Sequence, residues 1–159
     1  MKQDFYEVVS NERIAPSVYR MVLSGDTSPI TAPGQFVNIK IPELYLRRPI
    51  SICNWDDKTL TLIYKTVGEG TEELSRMKPG GRLDLLIALG NGYDTEPSGD
   101  TPLLVGGGVG IPPLFGLCKA LIAEGKTVNV TFKLASYSPL AQDDAMLQVY
   151  HVDDDKTVT

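Results

Sequence analysis

Apolar and polar residues alternate with a period of two in several stretches of the first half of the chain, most clearly in Thr59-Leu60-Thr61-Leu62-Ile63-Tyr64. That period is the signature of a strand with one face buried. It predicts strands over residues 5–11, 18–24, 35–41, 49–54, 59–66 and 82–87, separated by the turn signals Pro33-Gly34, Asp56-Asp57 and Pro79-Gly80-Gly81. Short strands at this spacing suggest a small antiparallel barrel or sandwich. One helix interrupts them. Thr71 is its expected N-cap, Glu72 and Glu73 place negative charge in the first turn, Leu74 and Met77 form the inward face, and Lys78-Pro79-Gly80 ends it.

Residues 88–101, rich in Gly, Pro, Asn and Asp, read as a boundary, after which the pattern changes to βαβ. A short apolar strand at 102–105 leads into a helix at 112–124, Gly125 as its cap, and a strand at 127–133. The organisation expected is a barrel over 1–97 and an incomplete doubly wound α/β domain over 98–159. A parallel sheet needs further strands and helices to cover both faces. The tail looks poor material for them, because Ser138-Pro139 breaks it and Asp143-Asp144 and Asp153-Asp154-Asp155 load it with like charge. On this reading the second domain stops short at Thr159.

Composition narrows the classes. Hydrophobic residues make up 42% and charged residues 22%, an ordinary globular mix, and 15 Lys and Arg against 20 Asp and Glu give a formal charge of −5. With no basic stripe, nucleic acid is not expected as a partner. No apolar run is long enough for a membrane span, and Met1-Lys2-Gln3-Asp4 lacks a signal-peptide core, so a cytoplasmic location is expected. The two cysteines, Cys53 and Cys118, lie far apart in apolar surroundings and are expected reduced and buried. They cannot supply a four-thiolate site.

Three stretches carry candidate chemistry. Arg47-Arg48-Pro49-Ile50-Ser51 opens an apolar strand with two guanidinium groups, each needing an anionic partner. A phosphate suits the planar fork, although a carboxylate at a sheet edge is the simpler explanation of this segment alone. Gly68-Glu69-Gly70-Thr71 lets backbone N–H groups approach an anion at a helix start, and serves equally as an ordinary capped turn. Gly106-Gly107-Gly108-Val109-Gly110-Ile111-Pro112-Pro113 follows an apolar strand and opens a helix, the setting of a dinucleotide-binding turn, without the usual Rossmann spacing. Leu89-Gly90-Asn91-Gly92-Tyr93 lines a cleft or merely connects. His151, the single histidine, is expected in solvent; Trp55 and Tyr64 are expected in barrel packing. No Ser/His/Asp set, paired-carboxylate site or metal cluster stands out.

Taken in order, Ala32-Pro33-Gly34-Gln35-Phe36-Val37, Arg48-Pro49-Ile50-Ser51, Ile63-Tyr64-Lys65, Gly70-Thr71, Leu89-Gly90-Asn91-Gly92 and Gly107-Gly108-Val109-Gly110-Ile111-Pro112-Pro113 resemble the ferredoxin-reductase-like flavoproteins. Within that group the likeness is to the electron-transfer subunits of NAD-linked (type B) dihydroorotate dehydrogenases, over about residues 4–133. The resemblance implies a Greek-key FAD-binding barrel followed by a nucleotide-binding α/β domain. By it, Arg48 contacts the flavin diphosphate, Pro49, Ile50 and Ser51 line the isoalloxazine, and Ser51 bonds near the reactive ring nitrogen. Ile63, Tyr64 and Lys65 run along the ribityl and phosphate portion, Gly70 and Thr71 hold the diphosphate, and Gly107, Gly108 and Gly110 admit NAD(H). Ile50 stands where the wider superfamily often has an aromatic ring. No side chain is required as acid or base.

The resemblance also implies a catalytic dehydrogenase subunit as partner in a hetero-oligomer, passing electrons from dihydroorotate oxidation, in pyrimidine biosynthesis, to NAD. The family's [2Fe–2S] cluster is not supported by this chain, which lacks its four cysteines. Two alternatives stay open: another ferredoxin- or hydrogenase-linked NAD(P)H reductase, and a flavin-binding module without catalytic activity.

Overall fold

The computed structural model describes residues 2–133 and 147–151. Six strands close into an antiparallel barrel: β1 (Lys2–Ala15), β2 (Val18–Ser24), β3 (Phe36–Lys40), β4 (Arg48–Trp55), β5 (Thr59–Lys65) and β6 (Arg82–Leu89). They follow one another round the barrel as β1-β2-β5-β4-β3-β6, a Greek-key order. Alternation decides what faces inward. Tyr6 and Val8 of β1, Met21 and Leu23 of β2, Val37 and Ile39 of β3 and Leu60 and Leu62 of β5 are wholly buried in one cluster. Burial of each such side chain is worth about 1.5–3 kcal/mol.

Helix α1 (Glu69–Arg76) crosses between β5 and β6, its Leu74 completely buried in the barrel core. Its start differs from expectation: the N-cap is Gly68, and Thr71 lies three residues inside. The Thr71 hydroxyl accepts hydrogen bonds from the Val67 and Gly68 N–H groups at 2.9 and 3.3 Å and donates to the Gly68 carbonyl at 2.9 Å. A threonine can reach back to the N-cap from this position, so one side chain organises the whole turn. The other end is held by Asn11 of β1, whose amide donates to the Leu74, Ser75 and Met77 carbonyls at 3.0, 3.3 and 3.1 Å. These are acceptors a helix leaves open at its C-terminus.

Beyond the barrel, β7 (Leu103–Gly107), α2 (Ile111–Ala123) and β8 (Asn129–Lys133) form the βαβ unit, with β7 and β8 parallel. A further strand, β9 (Leu147–His151), pairs antiparallel with β8. The Ser138-Pro139 break and the aspartate runs argue against sheet in the tail, yet Leu147-Gln148-Val149-Tyr150-His151 is free of acidic residues and has the alternation of a short strand. Ser138-Pro139, Asp143-Asp144 and Asp153-Asp154-Asp155 lie outside the described residues, as does the side chain of His151.

The loop pair 32–35 and 89–93 forms the junction. The Gln35 carboxamide, 6% exposed, accepts from the Thr31 and Ala32 N–H groups and donates to the Gly90 carbonyl at 3.1 Å. The Tyr93 N–H donates to the Pro33 carbonyl at 2.8 Å. Gly34 sits at φ +89, and a Cβ there would lie 2.6 Å from the Tyr93 ring. Leu89-Gly90-Asn91-Gly92-Tyr93 is thus locked onto Ala32-Pro33-Gly34-Gln35, and glycine is required at both the turn and the close approach.

Candidate functional site

The two adjacent arginines have different fates. Arg47 forms an ion pair with Asp84 at 2.9 Å, and its guanidinium also donates to the Asn38 and Asp84 carbonyls at 3.2 and 3.1 Å. It stitches β3 to β6, the carboxylate-paired role the sequence allowed for either residue. Arg48 has no carboxylate partner among the described residues. Its Nη1 donates to the Leu46 carbonyl at 2.7 Å, which fixes the side chain. The rest of the guanidinium lies across Gly70: a Cβ on that glycine would be 2.4 Å from Nε, 2.9 Å from Cζ and 3.0 Å from Nη2. A half-buried cation therefore rests on the opening turn of α1, where backbone N–H groups lack helical partners. Both features favour an anion at one place.

From Arg48 the strand leads away along the outer barrel wall. Pairing of Asn38 with Pro49 and of Phe36 with Ser51 puts Pro49 and Ser51 on one face, with Ile50 beside buried Val37 on the other. Pro49 is exposed and Ser51 half-buried, whereas the Ile50 side chain packs against the core. Of the residues expected to line a ring, Pro49 and Ser51 present side chains outward and Ile50 offers its backbone. In β5, Ile63 and Lys65 alternate outward with buried Leu62 and Tyr64. At about 3.4 Å per residue, Ser51 stands roughly 10 Å along the strand from Arg48.

Tyr64 does not belong to this outer face. It is 2% exposed, its ring stacks on Tyr19 with centroids 5.7 Å apart, and its hydroxyl donates to Asn11 Oδ1 at 3.0 Å. Burial pushes its phenol pKa well up from the usual tyrosine range. It supports α1 through Asn11. The Thr71 hydroxyl is likewise committed to its own turn, so Thr71 reaches an anion only through its N–H.

At the far end of β4, α2 closes over Cys53–Trp55. Gly116 faces the Cys53 carbonyl, and the Lys119 ammonium donates to Asn54 Oδ1 at 2.8 Å. The glycine turn at the head of α2 brings its Cα atoms within 8 Å of β5. Its members differ in purpose. A Cβ on Gly106 would meet Leu114 at 2.7 Å, a packing constraint, while Gly108, at φ +53, and Gly110 face open space. Gly107, Gly108 and Gly110 are exposed. Pro112 and Pro113 remove two N–H donors from the first turn of α2, leaving it a weaker anion seat than α1.

Cys53 is buried and Cys118 only half-buried; both are free thiols whose pKa burial raises, which disfavours reactive thiolates. Two separated thiols do not fit a [2Fe–2S] cluster, and no metal-holding group of side chains occurs among the described residues. A groove of about 320 Å³ beside α1 has an apolar floor including Leu74 and Leu83, but Glu43, Glu69 and Glu73 give it the wrong charge for a phosphate. Among the described residues no helix is long and apolar enough to cross a membrane.

Comparison with known proteins agrees with this geometry. No family profile matches the chain. A dihydroorotate dehydrogenase B (NAD(+)) electron transfer subunit of Enterococcus faecalis is 46% identical over 134 residues, covering 80% of this chain and 51% of that protein. Its counterpart in Listeria monocytogenes is 38% identical over 160 residues, covering 96% and 63%. This chain is a homologue of those electron transfer subunits. It spans about half the length of the first of these relatives. Among solved structures, an NADH-dependent reduced ferredoxin-NADP oxidoreductase superposes with a TM-score of 0.75 at 31% identity, over 87% of this chain and 51% of that one. The barrel with its small α/β unit is the ferredoxin-reductase-like fold of flavoproteins.

Sequence reasoning missed Gly116 and Asn11. A glycine inside an apolar helix pattern is a signal for close packing and could have flagged the first. Nothing local marks Asn11, which acts across the barrel.

Proposed function

We propose that this chain is an FAD-binding electron-transfer module, with the flavin half over 1–97 and a dinucleotide half over 98–159. One observation carries the flavin reading: the Arg48 guanidinium, without a carboxylate partner among the described residues, lies on Gly70 at the start of α1. There Arg48 and the first-turn N–H groups of Gly70 and Thr71 bind the FAD diphosphate. Pro49, the Ile50 backbone and Ser51 line the isoalloxazine, with the Ser51 hydroxyl placed to hydrogen-bond its edge. Ile63 and Lys65 flank the ribityl and phosphate portion, and Tyr64 stiffens the wall behind them. Gly107, Gly108 and Gly110 admit NAD to the exposed flavin face.

When bound, the flavin supplies two-electron redox chemistry. The chain's own residues bind, orient and shield it, and none is needed as acid or base. The homology extends the proposal to a partner: a catalytic subunit oxidising dihydroorotate delivers electrons for transfer to NAD, in a hetero-oligomer of pyrimidine biosynthesis. The purified protein, as isolated or after incubation with FAD and gel filtration, should carry flavin absorbance near one equivalent. Failure to retain FAD under both conditions refutes the reading.

A further inference from the structure

Strand β4 serves two neighbours. Its first residues, Arg48 to Ser51, carry the wall assigned to flavin, and its last, Cys53 to Trp55, form a rail on which α2 docks. Gly116 stands at the crossing. A Cβ there would lie 3.2 Å from the Cys53 carbonyl oxygen, 3.5 Å from Trp55 Cζ3 and 3.6 Å from Pro33 Cβ. The first separation is tighter than most Cβ contacts and calls for a shift of a few tenths of an ångström, and the obstacle is backbone inside a closed barrel, so the helix rather than the strand gives way. Three residues on, on the same face of α2, Lys119 is latched to Asn54 at 2.8 Å. Gly110, at the helix head, is six residues from Gly116, roughly 9 Å along a rigid element. Any shift at the crossing is carried to the glycine turn.

We infer that Gly116 is a positioning residue: by letting α2 close on β4, it sets the depth at which a nicotinamide dinucleotide held by the glycine turn meets the flavin. The inference rests on the flavin and dinucleotide reading above. In the proposed direction a hydride would pass from N5 of the reduced flavin to C4 of NAD⁺. One N–H bond breaks, one C–H bond forms and two electrons pass, giving NADH and oxidised flavin; anaerobic flavin reduction by NADH is the same transfer in reverse. Gly116 touches neither ring and acts through distance alone.

The test compares the full chain with Gly116→Ala, Gly116→Val and Asn54→Ala, the last removing the latch without adding bulk. Trp55, the single tryptophan, sits at the seam and reports its opening in flavin-free protein. Emission should shift to longer wavelength in the order Gly, Ala, Val. FAD affinity should stay within about twofold, since the phosphate seat lies at the other end of β4. The limiting rate of anaerobic flavin reduction by NADH should fall about threefold for Ala, severalfold for Asn54→Ala and ten- to a hundredfold for Val, because a displacement near 1 Å can cost about a hundredfold. The NADH concentration at half-saturation should change less than about threefold, as the turn itself is intact. Unchanged reduction rates across the series overturn the inference. A wild-type chain that binds FAD but is not reduced by NADH overturns it together with the dinucleotide half, leaving the flavin half standing. A wild-type chain that binds no FAD overturns the flavin reading itself.

Discussion

Replacing Gly70 by alanine should strengthen the fold and weaken flavin binding. The added Cβ would lie 2.4 Å from Arg48 Nε, whereas comfortable contacts are about 3.5–4.0 Å, so the guanidinium must retreat by more than about 1 Å. The obstacle is the far end of a flexible side chain, so the backbone need not move. Gly70 lies inside α1, where alanine is favoured over glycine by up to about 1 kcal/mol. For a chain of this size that raises the melting temperature by roughly 2–4 °C at most. The displaced arginine loses charge-assisted hydrogen bonds to phosphate worth about 1.5–3 kcal/mol. At about 1.4 kcal/mol per tenfold, FAD should bind roughly 10- to 150-fold more weakly. Thermal melts of flavin-free protein and fluorescence titrations with FAD, at low and high salt, give both quantities. The variant's FAD affinity should also depend less on salt, since an exposed charge pair is screened. Unchanged FAD affinity with normal folding would refute the placement of the phosphate over Gly70. Joint loss of stability and affinity would refute the claim that only the side chain yields.

Two further outcomes follow from single contacts. Tyr64→Phe leaves Asn11 Oδ1 without its donor and should lower stability by about 1–2 kcal/mol in urea titrations while FAD affinity stays within about twofold; a tenfold loss of affinity would place Tyr64 against the flavin instead. The Asp26 carboxyl is held at about 2 by hydrogen bonds from Lys2 and Ser28. Because its pKa is depressed, its contribution is present above the unfolded value near 3.9 and is lost as pH falls from about 4 towards 2. Asp26→Asn should flatten that part of the acid limb, only slightly because the group is exposed, and the difference should shrink in high salt. A steeper acid limb in the variant would contradict the sign.

Strand period and turn chemistry made the barrel legible: six alternating segments lay within a few residues of the observed strands. Local signals cannot reveal what acts across the fold. Arg47 and Arg48 are adjacent in the chain, and only closure of the barrel hands Asp84 to one and Gly70 to the other. Tyr64 follows the strand's alternation into the barrel packing expected of it, but its bond to Asn11, fifty-three positions away in the chain, is not legible locally. Thr71 resembles an N-cap, but Gly68 takes that place because the threonine hydroxyl reaches back over the turn. In the glycine-rich stretch, the sequence cannot separate Gly106, which yields to Leu114, from Gly108 and Gly110, which face open space.

Arg48, without a carboxylate partner among the described residues and resting on the first turn of α1, is the proposed holder of the flavin's diphosphate. Calorimetric titration of flavin-free protein with FAD, for wild type and Arg48→Ala, tests that role most directly. Wild type should show one site per chain, and the variant at least about a tenfold loss of affinity with its melting temperature nearly unchanged. Equal FAD affinity in the two proteins would contradict it.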